Sequence, residues 1–213
     1  MALDKWLHPF WDAYEWAFEK AFRLRRVSAS PQCVLRIGPR THRGPEEHLA
    51  DGTVIRPGER IAELHLDNRA IRALRRPGDT DRRHARAFAR AVLFSLRELA
   101  KLAQAHPRYS RVPAFYGTSL FYDRAHFAGF EARQIEWRGQ QRVLGWYLWG
   151  LLGRMHVGGK QRLKEAPRRR QVGIVWMSRR RLLERFGEAS EAEESGQADA
   201  AEPEAAQAAE DQG

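Results

Sequence analysis

Aromatic residues recur every four positions at the start of the chain: Trp6, Phe10, Tyr14, Phe18 and Phe22, with Leu3, Leu7 and Trp11 beside them. This spacing predicts an amphipathic helix over residues 3–24. Asp12, Glu15, Glu19 and Lys20 fall opposite. That polar face is acidic rather than rich in Lys and Arg, which favours docking on the chain's own sheet over a membrane anchor. The period then changes to two. Residues 33–37 read as a strand ended by Gly38-Pro39, and residues 53–55 as a short strand after the Asp51-Gly52 turn. Residues 61–67 alternate strictly and enter from a Pro57-Gly58 turn. The arrangement is that of a meander or hairpin.

Beyond it, Asn68 is placed to cap a short helix over 69–75, and Pro77-Gly78-Asp79 interrupts. A long helix is predicted over 81–105, stopped before Pro107. Its apolar face carries Phe88, Val92, Leu96, Leu99 and Leu102. Its other side carries Arg83, Arg86, Arg90, Arg97 and Lys101, with Phe94 among them. Strands are expected over 112–122, bent at Gly117, and over 130–137, with a short helix capped by Asp123 between them. An aromatic-rich helix at 143–155, a basic loop at 160–170 and a buried strand at 172–177 follow. Ser178 then caps a final helix, 179–186, stopped by Gly187. The expectation is one α+β domain over residues 1–187, with a central, largely antiparallel sheet flanked by helices. Residues 188–213, rich in Glu, Ala, Gln, Ser and Gly, are expected to be a disordered acidic tail.

Charge sharpens that division. The 213 residues hold 37 Lys or Arg and 27 Asp or Glu, a formal net charge of +10. Nine of the acids lie in 188–213 with no base among them, so the remaining 18 acids leave the body at +19. Such a body attracts polyanions: nucleic acid, anionic lipid or acidic polymer. A GC-rich coding bias that inflates Arg is the competing explanation. The single cysteine, Cys33, excludes an intramolecular disulfide. The start of the chain lacks a basic segment followed by an apolar run, so it is not read as a signal peptide. The longest uncharged apolar stretch, residues 143–153, falls short of the ~20 residues that span a bilayer. The location these features suggest is cytoplasmic, peripheral to a membrane at most.

Familiar site signatures are missing from the sequence. It has no Gly-rich phosphate loop, no cysteine-based zinc pattern, no His-Glu-x-x-His helix and no Gly-x-Ser-x-Gly elbow, so no metal site or cofactor is assigned. One constellation stands out. Alternation in residues 61–67 puts Ala62, Leu64 and Leu66 on one face and Ile61, Glu63, His65 and Asp67 on the other. Carboxylate, imidazole and carboxylate side by side could orient a general base, bind a metal or hold a sugar hydroxyl. A solvated sheet face would look the same. With Asn68, these residues are the candidate ligand-binding set, and Tyr116 and Ser119 are the expected partners from elsewhere. Arg83, Arg86, Arg90, Arg97 and Lys101 are the candidate polyanion-binding set.

The runs 33–37, Leu49-Ala-Asp-Gly-Thr53, Pro57-Gly-Glu59 and Ile61-Ala-Glu-Leu-His-Leu-Asp-Asn68 resemble the YkoP-like domain family. Tyr116 to Leu120, Gly129-Phe130 and Trp176-Met-Ser178 fit it more loosely. Such domains occur alone or joined to polysaccharide deacetylase domains. The resemblance therefore implies a link to cell-envelope carbohydrate, with an envelope polysaccharide precursor, anionic membrane lipid or a polysaccharide deacetylase as partner. It implies no catalytic residue. The paired-Asp and His-x-x-x-His motifs of a deacetylase do not occur. The leading expectation is an accessory or binding domain at the cytoplasmic membrane surface. The alternatives are a nucleic-acid-binding protein using its Arg-rich surface and an enzyme centred on His65.

Overall fold

The computed structural model describes residues 20, 23–119, 122–134 and 173–187. The helices expected at 143–155 and over nearly all of 3–24, the loop at 160–170 and the tail at 188–213 lie outside these residues, as do the ends of the strands expected at 112–122 and 130–137. The strands are β1 (Arg25–Arg26), β2 (Leu35–Thr41), β3 (Glu47–His48), β4 (Val54–Ile55), β5 (Arg60–Leu66), β6 (Ala114–Ser119), β7 (Glu131–Gln134) and β8 (Gly173–Ser178). The helices are α1 (Asn68–Ala73), α2 (Asp81–Ala105) and α3 (Arg179–Phe186), with a 3-10 turn at Tyr122–Ala128.

Six strands form one mixed sheet in the order β1-β2-β5-β6-β8-β7, and β3 and β4 form a separate hairpin. Every neighbouring pair in the large sheet is antiparallel except β5 and β6, which run parallel. Parallel neighbours need a crossover, and α1 and α2 supply it. The architecture is the α+β arrangement expected from the pattern.

α2 spans the residues predicted for it. Thr80 caps it by accepting from the Arg83 amide, and the chain leaves it just before Pro107. Leu96, Leu99, Ala100 and Ala103 pack with Leu35, Ile37, Ala62, Leu64, Phe115 and Met177 in the main core, joined by Leu182 and Phe186 of α3. Both helices therefore cover one face of the sheet. Phe94 is partly buried against the same core, so it is not the interleaved aromatic of the basic stripe. At 100° per residue the stripe predicted from spacing and the rim of the core overlap, and a large ring at the rim turns inward.

On the other face the β3–β4 hairpin covers one half. Leu49 and Ile55 bury against Ile61, Ala114 and Trp176. The hairpin is clipped at its tip: the Ser178 hydroxyl donates to Asp51, and Arg180 lies 3.4 Å from the same carboxylate. Gly58 closes the turn into β5 with φ +86, donating to the His42 carbonyl at 2.8 Å. An L side chain rarely adopts that conformation.

β2 does not end at Gly38-Pro39; it runs on to Thr41. Val34 and His42 at its two ends hydrogen-bond toward β5. In an antiparallel ladder the odd positions between them therefore face away from β5. Pro39 is such a position, and β1 pairs only as far as Ile37, so the missing amide interrupts no bond in either ladder.

Candidate functional site

The half of the sheet face not covered by the hairpin carries polar side chains from three adjacent strands. β2 contributes Arg36 and Arg40, β5 contributes Glu63 and His65, and β6 contributes Tyr116 and Thr118. The register explains the convergence. Glu63 lies opposite Gly38 on one side and Tyr116 on the other. Gly38 offers no side chain, so the carboxylate has room between the flanking arginines of β2.

Arg40 donates to Glu63 at 2.6 Å, and His65 Nε2 stands 3.3 Å from the other carboxylate oxygen. The Arg40 guanidinium lies over the Tyr116 ring, 4.5 Å from its centroid. Tyr116 meets buried Trp176 edge-on at 4.9 Å, and its hydroxyl is 3.4 Å from that of Thr118. Trp176 in turn meets the ring of buried His42 at 5.7 Å.

Glu63 is only 8% exposed, and burial pushes its carboxyl up. The hydrogen bond and charge of His65, then those of Arg40, outweigh burial and hold it below the usual Glu range. The site thus keeps a carboxylate ionised in a half-dry setting. It is flanked by an imidazole with a side chain 22% exposed and a guanidinium 40% exposed. Such a face can accept and donate hydrogen bonds to a hydroxylated ligand, with the half-buried Tyr116 ring beside it.

Asp67 belongs to the scaffold. It follows β5 as the N-cap of α1, accepting from the Ala70 amide at 3.0 Å with one oxygen and from Arg36 Nε at 2.9 Å with the other. The cap expected at Asn68 is therefore one residue earlier, and Asn68 begins the helix. Asn hydrogen-bonds as well in a cap, but the β-region backbone a cap needs falls at Asp67. Ser119 alternates with Thr118 along β6 and lies on the side of Phe115, toward the helices; Thr118 takes the place expected of it. Arg83, Arg86, Arg90 and Lys101 are exposed on α2 and Arg97 is half-buried. All five lie on the helix layer, away from Glu63 and His65.

Arg36, Arg40 and Thr118 were not expected in the site. The signal for the arginines was present: Arg36, Gly38 and Arg40 alternate in phase, once the strand is continued through the proline. Among the described residues no cluster of three or more His, Cys, Asp or Glu is placed to hold a metal ion, and no helix is long and apolar enough to cross a membrane.

The family model described as the YkoP domain matches residues 4–186. No curated protein and no solved structure matches the chain.

Proposed function

The chain belongs to the YkoP domain family, and from that premise we propose that it is a binding domain of cell-envelope polysaccharide metabolism that holds a saccharide on the Glu63–His65 face. One observation carries the reading: an ionised, buried carboxylate stands between a guanidinium and an imidazole, beside the half-buried Tyr116 ring. Sugars present hydroxyl edges and apolar ring faces, and this surface offers partners to both. The substrate class follows from the resemblance, which links such domains to polysaccharide deacetylases. The charge network points to binding rather than catalysis. Glu63 already has partners on both oxygens, so it is a fixed acceptor, and the sequence lacks a deacetylase motif.

Calorimetric titration with N-acetylglucosamine oligomers, acetylated and partly deacetylated, tests the reading. Saturable binding is expected in the full chain and is expected to be lost in His65→Ala and Arg40→Gln; each variant removes a partner of buried Glu63 and is expected to melt below the parent while staying folded at the temperature of the titration. Absence of binding to both oligomer series, or equal binding by the variants, refutes it.

A further inference from the structure

The arrangement of α1 on α2 points to a second surface. We propose that the arginine face formed jointly by these helices docks on an anionic lipid bilayer. Residues 68–90 hold eight Arg against two Asp, and the fold gathers them. Ile71 of α1 and Ala91 of α2 are buried in one cluster with Val34 before β2, and Leu66, Ala70, Leu74, Phe88 and Val92 pack against it. With their apolar sides turned on each other, the two segments turn arginines outward. Arg72 and Arg76 on one side and Arg82, Arg83, Arg86 and Arg90 on the other are all exposed. Among the described residues no carboxylate pairs with the side chains of these four arginines of α2.

Their position along the helix runs against the helix's own electrostatics. The first three turns of α2 carry four arginines, Arg82, Arg83, Arg86 and Arg90, against the single acid Asp81, and the last turn carries no base. The macrodipole favours the reverse, acids at the start and bases at the end. Arg82 and Arg83 in the first turn face the positive end of the helix, all four arginines repel one another, and an anionic surface laid on that face relieves both repulsions.

Two side chains favour a bilayer over nucleic acid as the occupant. Phe94, the aromatic in line with the stripe, packs against the core, which removes the ring expected to stack on bases. The side chain left outward between Arg90 and Arg97 is Leu93, 39% exposed. An aliphatic residue set among arginines suits the boundary between headgroups and acyl chains. Clusters of four to eight basic residues beside an anionic leaflet recognise it through the surface potential.

This surface is separate from the saccharide site. α2 covers one face of the sheet, and Glu63 and His65 lie on the other, so the two proposals fail independently. The test is flotation of the full chain with vesicles of equimolar phosphatidylglycerol and phosphatidylcholine, compared with phosphatidylcholine alone. Binding only to the anionic vesicles, weakened by salt, is expected. The variant R82Q/R83Q/R86Q/R90Q should bind at least about tenfold more weakly, with a melting temperature unchanged or raised. His65→Ala should float as the parent does. If four substitutions disturb the helix, R86Q/R90Q carries the same expectation at smaller size. Three results overturn the proposal: no flotation with anionic vesicles, flotation indifferent to the arginine substitutions, or binding to duplex DNA in a gel shift at salt where vesicles are not bound.

Discussion

Glu63 shows how a single side chain can be both buried and charged. Its desolvation is offset by His65 and Arg40, and the result is a carboxyl held below its ordinary value of 4.5. A depressed folded-state value means that Glu63 stabilises the fold above the unfolded value, and that this contribution is lost as pH falls through the depressed one. Glu63→Gln keeps the shape and removes the charge. At neutral pH it is expected to lower stability by about 1–2 kcal/mol, a modest figure because Arg40 is partly solvated. The gap between parent and variant should close in acid, below 4.5. Urea unfolding at neutral and acid pH measures it, and a gap that persists in acid would show that Glu63 acts by packing rather than by charge. At this scale the sequence was informative in part. Alternation alone put Glu63 and His65 on one face with the apolar Ala62 and Leu64 behind them. It did not show that Asp67 bends away to cap α1, because the end of a strand and the cap of the next helix share the same residue type.

Among the elements, the long helix was the most legible. Its period, its cap and the proline beyond it all agree over 25 residues. β2 was the least legible, because Gly38-Pro39 reads as a stop in one dimension and is harmless at a position facing away from the ladder. Pairing across strands, which no local pattern contains, decides that case and with it the inclusion of Arg40 in the site. The Ser178 step from β8 into α3 was visible as a cap, but its second role was not. The same hydroxyl that accepts from the Arg181 amide at 2.9 Å donates to Asp51 at the tip of a hairpin 127 residues earlier. Burial pushes the Asp51 carboxyl up, and the bonds from Ser178 and Thr53 with the charge of Arg180 hold it below the usual Asp range. Ser178→Ala removes the cap and the clip together and is expected to cost about 1–2 kcal/mol. Denaturant unfolding that finds the variant as stable as the parent would mean that the hairpin and α3 hold without it.

For the whole molecule, the two proposed binding surfaces fall on opposite sides of one sheet. The helix-covered face carries the core and, on the outside of its helices, the exposed arginines of residues 72–90. The opposite face is covered by a hairpin at one end and carries the carboxylate, imidazole and guanidinium at the other. The charge asymmetry could be counted from composition, but its separation from the site could not, since it depends on which side of the sheet α2 packs. The central claim is that the second face binds saccharide. It is tested most directly by amide and side-chain NMR shifts of the labelled full chain during titration with N-acetylglucosamine oligomers. Saturable shifts gathered on Arg40, Glu63, His65, Tyr116 and Thr118, with α2 unmoved, are expected. Shifts that do not saturate, or that gather on α2 instead, would contradict it.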